Sequence, residues 1–173
     1  MSPSRISLNF IFLLAIFTVQ EAAISRITFP LTGFSLFLAV LVGMMALEDR
    51  TGAIALGFIG GLILDLSPTS NSPFGQWALV LTLVGYVIGA NRESIGDFTT
   101  RPGAFVLFVA LATALTLLLS LILGALIGDQ AGTLARNVVV ILGNTVWTFL
   151  FAPLFLPGIS ILRNSMLTSR ERI

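Results

Sequence analysis

The stretch GAIALGFIGGLILDLSPTSNSPFGQWALVLTLVGYVIG, residues 52–89, decides the fold of this chain. It contains two apolar runs, residues 52–66 and 74–89, joined by a short polar link. Asp65 is the only acidic residue of the stretch, and the link carries no charge after it. Two apolar runs separated by so short a link predict a helical hairpin with one polar tip.

Two glycines in each helix of this predicted hairpin give that helix a smooth face. Gly57 and Gly61 stand four residues apart in the first run, and Gly85 and Gly89 repeat that spacing in the second. Small residues at this interval let two helix backbones approach closely inside a bilayer, where apolar burial no longer drives association. The sequence leaves open whether these faces meet each other or a helix of another protein.

The composition of the whole chain places it in a membrane. Of its 173 residues, 56% are hydrophobic and 10% are charged, and the mean hydropathy is +1.02. Soluble domains carry roughly 25% charged residues. The net charge of +1 indicates no nucleic-acid partner. We therefore expect an all-α integral membrane protein with one transmembrane domain over residues 1–173.

Six apolar segments are the predicted transmembrane helices, at residues 8–24, 33–47, 52–66, 74–90, 103–127 and 138–156. The third is short for a hydrocarbon core that normally needs about 20 apolar residues. Ser72 and Pro73 are the expected N-cap and first-turn proline of the fourth. Residues 163–173 form a polar, basic tail.

The arginines predict the orientation of these six spans. One side of the membrane would carry seven of them: Arg5, Arg50, Arg92, Arg101, Arg163, Arg170 and Arg172. The other side would carry only Arg26 and Arg136. Because basic residues concentrate in cytoplasmic segments, we expect both termini in the cytoplasm and the tip after Asp65 facing outward.

The residue types present argue against an enzyme. The chain has no His and no Cys, which excludes a Ser/His nucleophile and the usual metal ligands. Asp65 has no second aspartate at membrane depth to pair with, and Glu48 and Asp49 are a single acidic pair in a link. We therefore expect a non-enzymatic protein without a cofactor or metal.

Three polar positions within or beside the spans admit two interpretations each. Asp65 either contacts a partner or ligand, or accepts hydrogen bonds from link amides around Ser67 and Thr69, and the second is favoured. Gln20 and Glu21 are interpreted as interfacial residues, with Glu21 drawn towards Arg26, rather than as a transport site. Asn144, near the middle of the sixth span, is interpreted as an interhelical hydrogen-bonding group rather than a ligand contact.

The order Gly-Phe-Ile-Gly-Gly-Leu-Ile-Leu-Asp-Leu (57–66), Pro-Phe-Gly (73–75) and Gly-Tyr-Val-Ile-Gly (85–89) resembles the MreD family of rod-shape-determining membrane proteins. The residues that occupy the family pattern are Gly57, Gly61, Leu62, Asp65, Gly75, Gly85, Tyr86 and Gly89. With Asn144, they are our candidates for partner binding or helix packing.

The resemblance implies a non-enzymatic subunit of the bacterial cell-elongation machinery in the plasma membrane. Such a subunit binds MreC, a single-span protein, and connects MreB filaments to the RodA glycosyltransferase and a penicillin-binding transpeptidase. It also implies a fold similar to the six-helix substrate-binding subunits of energy-coupling-factor vitamin transporters. The chain departs from the family pattern in having no Lys and in the arginines of its 91–102 link.

Two functions follow from these observations. The first is a membrane scaffold whose Gly57/Gly61 or Gly85/Gly89 face receives the MreC span, with Asp65 fixing the outer tip. The second is a small-molecule permease or a vitamin-capturing transporter subunit, which needs an outward cavity with convergent polar groups. The candidate groups for that cavity are Gln20, Glu21, Asp65, Trp77 and Asn144.

Overall fold

The computed structural model describes residues 3–27, 33–67, 72–92, 101–128 and 132–166. These residues form six α-helices and one short 3-10 helix, Ile24–Arg26, and no strand. The α-helices are α1 (Pro3–Ala22), α2 (Leu36–Leu47), α3 (Arg50–Asp65), α4 (Gln76–Ala90), α5 (Pro102–Ile127) and α6 (Leu134–Met166). Each predicted span therefore contains a helix, and the all-helical prediction is confirmed for this part of the chain.

Helix lengths separate the six into two groups. Three segments are long and apolar enough to cross a membrane: Ser7–Arg26, Pro102–Ile127 and Leu134–Ile159. The helices α2 and α4 are apolar but shorter. At about 1.5 Å per residue, the 16 residues of α3 extend about 24 Å, less than the roughly 30 Å of a hydrocarbon core.

Helix α2 forms the centre of the molecule. Every residue from Phe37 to Leu47 is buried, and α2 contacts α1, α3, α4, α5 and α6. A helix that is apolar on all sides has no face to give to water, so the other helices pack around it. Its first turn is capped by Ser35, whose hydroxyl oxygen accepts from the backbone N–H of Leu38 at 3.3 Å.

A two-residue turn, Glu48 and Asp49, leads from α2 directly into α3. Asp49 caps α3, because its carboxylate accepts from the backbone N–H of Gly52 at 3.1 Å. Helices α3 and α4 then form the predicted hairpin and contact each other more extensively than any other pair of described helices. The hairpin lies against α2 on one side and meets α5 through α4.

The last helix runs well past its predicted end at residue 156. Helix α6 continues to Met166 with Pro153 and Pro157 inside it, so the expected polar tail begins as a helix. Proline removes a backbone donor and would normally bend or end a helix. Here Leu156 and Ile159 are buried and contact Gly43 of α2, and this packing supports the helix beyond the prolines. Residues 167–173 lie outside the described part of the chain.

Candidate functional site

The two glycines of α3 face the backbone of α4. A methyl group added at Gly57 would overlap the carbonyl oxygen of Leu81. One added at Gly61 would lie 2.6 Å from the backbone nitrogen of Ala78. Because backbone atoms cannot rotate away as a flexible side chain can, each position has room only for glycine.

The two glycines of α4 face α3 in the same way. A methyl group at Gly85 would lie 2.9 Å from the carbonyl carbon of Ala53, and one at Gly89 would lie 2.6 Å from the α-carbon of Arg50. The two smooth faces therefore meet each other along most of the hairpin. This corrects the expectation that one of them receives a partner helix, since both are filled within the chain.

A third glycine of α3 seats the hairpin on the central helix. A methyl group at Gly60 would lie 2.8 Å from the Cδ1 atom of Leu41 in α2, and Gly60 is buried. Helix α3 thus uses glycine towards two neighbours, at Gly57 and Gly61 towards α4 and at Gly60 towards α2.

Asp65 joins the C-terminal end of α3 to the N-terminal end of α4. Its Oδ1 accepts from the backbone N–H of Trp77 at 3.0 Å and its Oδ2 from that of Ala78 at 2.9 Å. These are two of the first N–H groups of α4, which have no partner within their own helix. The negative charge of the carboxylate also interacts favourably with the positive, N-terminal end of the α4 dipole.

This arrangement corrects two expectations. The carboxylate of Asp65 binds the start of α4, whereas the backbone N–H of Ser67 donates to the carbonyl oxygen of Leu64 at 3.1 Å. The part of the expectation that concerns Thr69 lies outside the described residues. Ser72 and Pro73 precede α4 instead of starting it. The N-cap residue of α4 is Gly75, whose φ of +93° is left-handed and which offers no capping side chain. Asp65 supplies the missing cap from the neighbouring helix.

Tyr86 marks the opposite end of the hairpin. The guanidinium carbon of Arg50 lies 4.3 Å from the centre of the Tyr86 ring, within the range of a cation–π interaction. Tyr86 is partly exposed. Arg50 follows the Asp49 cap, so one residue ties the first turn of α3 to the last turns of α4. Leu62, also in the sequence pattern, is half-buried on α3.

Asn144 connects α6 to the segment before α2. Its Nδ2 donates to the carbonyl oxygen of Gly33 at 3.4 Å, and its Oδ1 accepts from the hydroxyl of Thr148 at 3.3 Å. Both Asn144 and Thr148 are buried. Asn144 therefore binds a non-helical residue and a residue of its own helix, so the bond between two helices that the sequence predicted is not among these two hydrogen bonds.

Gln20 performs a similar task at the end of α1. Its Nε2 donates to the carbonyl oxygen of Phe34 at 3.3 Å, and its Oε1 accepts from the backbone N–H of Leu36 at 2.8 Å. The side chain therefore holds the entry of α2, a role that the sequence did not predict. Glu21 follows it at the same end of α1.

Sequence reasoning missed a polar stripe on α5. Thr113, Thr116 and Ser120 are buried on this helix. The threonine hydroxyls donate to the carbonyl oxygens of Val109 and Ala112, both at 2.8 Å. Gln76 of α4, also buried, donates to the carbonyl oxygen of Ser120 at 2.6 Å. The spacing 113–116–120 places all three on one helix face, a periodicity that the sequence does carry.

Helices α4 and α5 also share a groove. This apolar groove, of about 560 Å³, is lined by α4 from Leu83 to Ile88, by the C-cap residue Asn91 and by α5 from Phe108 to Leu119. Leu83, Leu111 and Leu115 line it and are each about half exposed.

A family model described as rod shape-determining protein MreD matches residues 4–166. The chain belongs to the MreD family. No curated protein and no solved structure gives a match. The match confirms the resemblance seen in the hairpin and extends it over nearly the whole chain.

Membership of the MreD family connects the geometry to the rod-shape-determining role of that family. The motif residues of this MreD-family chain are concentrated in α3, α4 and the turn at Gly75. There they hold two short helices together by glycine contacts, a carboxylate cap and a cation–π pair. The likeness to energy-coupling-factor subunits stays a prediction.

Proposed function

We propose that this MreD-family protein is a non-enzymatic scaffold of the cell-elongation machinery that binds the single transmembrane span of MreC. Through MreC it would connect MreB, RodA and a penicillin-binding transpeptidase. The observation that carries the proposal is the family match over residues 4–166. The interlocked hairpin supports it, because a rigid pair of helices gives a partner a surface of fixed shape.

The transporter interpretation is weaker because its candidate groups are engaged within the chain. Gln20 binds the entry of α2, Asp65 caps α4, and Asn144 binds Gly33 and Thr148. Gln20 and Asn144 both bind the segment just before α2, whereas Asp65 binds the first turn of α4, so all three are used in holding helices together. In a scaffold, such polar groups hold the helices in fixed positions, and these hydrogen bonds support that role.

The proposed contact with MreC lies in the groove between α4 and α5. The glycine faces are filled, so an incoming helix needs another concave apolar surface. The groove residues Leu83, Leu111 and Leu115 present their side chains outward, and none of the described residues that line the groove is charged. An uncharged apolar groove suits a transmembrane helix, which packs by shape where lipid is the competitor.

The test is co-purification of MreC with two matched variants. Leu111→Trp fills the groove, whereas Leu150→Trp makes the same change on α6, away from it; the two leucines are 56% and 55% exposed. We expect Leu111→Trp to lower recovery of MreC about tenfold, the effect of roughly 1.4 kcal/mol. Leu150→Trp should leave recovery unchanged.

Two outcomes would overturn parts of this proposal. Equal recovery of MreC with both variants would remove the groove as the contact surface. Absence of MreC from preparations of the unsubstituted protein, when both are produced together, would remove the partner itself.

A further inference from the structure

The amide of Gln76, in the first turn of α4, is satisfied at only one of its two ends. The side chain is buried. Its nitrogen donates to the carbonyl oxygen of Ser120 in α5 at 2.6 Å, whereas its oxygen is shielded from solvent and has no hydrogen-bond partner among the described residues. A buried acceptor without a partner is uncommon, because the lost contact with water is not replaced. This contact between α4 and α5 therefore includes an unfavourable element.

The hydrogen bond to Ser120 does not compensate for that loss. The nitrogen and oxygen of the amide cannot be exchanged, since two acceptors would then face each other at 2.6 Å. The net gain from one neutral hydrogen bond is no larger than the penalty of one buried, unpaired acceptor. When the first turn of α4 moves away from α5, water can satisfy both ends of the amide. Separation of the two helices at this point therefore costs little.

Unfilled space lies on both sides of this contact. A groove of about 560 Å³ is lined by Leu115 and Leu119 of α5, and a cleft of about 220 Å³ is lined by Leu117 and Leu121 of the same helix. At about 100° per residue, the first pair faces the opposite side of α5 from the second. Residues of α4 line both spaces. The contact of α4 with α5 at Gln76 is therefore narrow.

Helix α4 is held to α3 far more firmly. The glycines of each helix face backbone atoms of the other, and the carboxylate of Asp65 binds two N–H groups of α4. Towards α2, the hairpin meets flexible side chains instead, Leu41 at Gly60 and the sulfur of Met45 at Gly85. Flexible side chains let packed helices slide past each other. The hairpin is thus one stiff unit on an adaptable support.

We propose that the α3/α4 hairpin moves as one body relative to α5, and that the Gln76–Ser120 hydrogen bond is a latch that opens with this movement. The arrangement described above is the closed form. In the open form, the amide of Gln76 is hydrated and the first turn of α4 stands away from α5. The movement changes the width of the groove between these helices. The latch would therefore control access to the groove, a role that rests on the function proposed above.

Distances between spin labels test the movement in the purified full-length protein, which has no native cysteine. Leu79→Cys in α4 and Leu118→Cys in α5 report the separation of the hairpin from α5 near the latch. Phe58→Cys in α3 and Leu83→Cys in α4 form the control pair within the hairpin. All four side chains are exposed, so labels at these positions leave the core unchanged.

We expect the pair at 79 and 118 to show two distances when Gln76 is unchanged, and the control pair to show one. Gln76→Met keeps the length of the side chain and removes the unpaired acceptor, so it should favour the shorter distance. Gln76→Glu, ionised at neutral pH, should favour the longer distance, because burial of a charge is costly. The ratio of long to short populations should differ at least about tenfold between the two variants.

Two results would overturn the proposal. A single distance at 79 and 118 that neither variant changes would mean that the hairpin and α5 do not separate. A longer distance in the control pair of Gln76→Glu would mean that the hairpin itself opens and is not one body. All of these measurements are made without MreC, so they succeed or fail independently of the scaffold function, which co-purification tests.

Discussion

At the scale of single residues, Asp65 connects α3 to α4, whose own N-cap residue makes no side-chain cap hydrogen bond. Gly75 is needed for the left-handed turn before α4, and a glycine has no side chain with which to cap a helix. Asp65 compensates by binding the N–H groups of Trp77 and Ala78 from the end of α3. Turn geometry and capping are thus divided between two residues.

The division predicts how substitutions at Asp65 behave. Asp65→Ala leaves two N–H groups of α4 without a partner and should lower stability by about 1–3 kcal/mol. Asp65→Asn keeps one acceptor oxygen and should lose less. Thermal unfolding of the purified protein in detergent measures both, with Thr51→Ala, an exposed position in α3, as the control. Equal melting temperatures for Asp65→Ala and the unsubstituted protein would contradict the capping role.

At the scale of helices, the hairpin depends on four positions where only glycine fits. Gly57→Ala and Gly61→Ala place a methyl group against the backbone of α4, and overpacking of this kind costs about 1–3 kcal/mol. Gly158→Ala is the matched control, because it also lies inside a helix but has nothing within 4 Å of an added methyl group.

The melting temperature of the control should not fall as it does in the hairpin variants. Alanine is favoured over glycine in an unhindered helix by about 0.5–1 kcal/mol, so Gly158→Ala should leave the melting temperature unchanged or raise it. Disulfide trapping between cysteines placed in α3 and α4 gives a second measurement of hairpin closure. Unchanged melting temperatures for Gly57→Ala and Gly61→Ala would show that the two helices can move apart without loss of stability.

The hairpin also shows what sequence patterns can and cannot predict. The i, i+4 glycines predicted two smooth faces, and apolar periodicity placed every helix within a few residues, apart from the C-terminal end of α6. The pattern did not identify what each face meets, because periodicity describes one helix at a time. The burial of Gln76 could not be predicted for the same reason. A polar residue in the first turn of a helix is usually solvated, and Gln76 is buried only because α5 packs against it.

At the scale of the whole molecule, the helices are arranged around α2. Arg26 follows the end of α1, Arg136 lies in the first turn of α6, and Arg50 begins α3, at the opposite end of that helix from Asp65. Our proposal that both termini are cytoplasmic places Ser25 outside and Thr51 inside. Both residues are exposed.

This orientation can be tested directly because the chain has no native cysteine. In spheroplasts, Ser25→Cys should react with a membrane-impermeant maleimide, whereas Thr51→Cys should react only after permeabilisation. Both cysteine variants should also support rod shape in cells, which shows that the labelled proteins are functional. Labelling of Thr51→Cys instead of Ser25→Cys in intact spheroplasts would mean the opposite orientation, and labelling of both variants there would mean that no span separates the two residues.

The unequal lengths of the helices have a consequence for the surrounding lipid. Once embedded, the α3/α4 hairpin would present a hydrophobic belt of about 24 Å beside α5, whose 26 residues extend about 39 Å. Lipid acyl chains beside the hairpin must compress, while α5 must tilt, and such mismatch costs fractions of a kcal/mol per Å. The bilayer would therefore be thinner on the hairpin side of the protein than on the α5 side. Neighbouring proteins with similarly short spans would be expected to gather on the hairpin side.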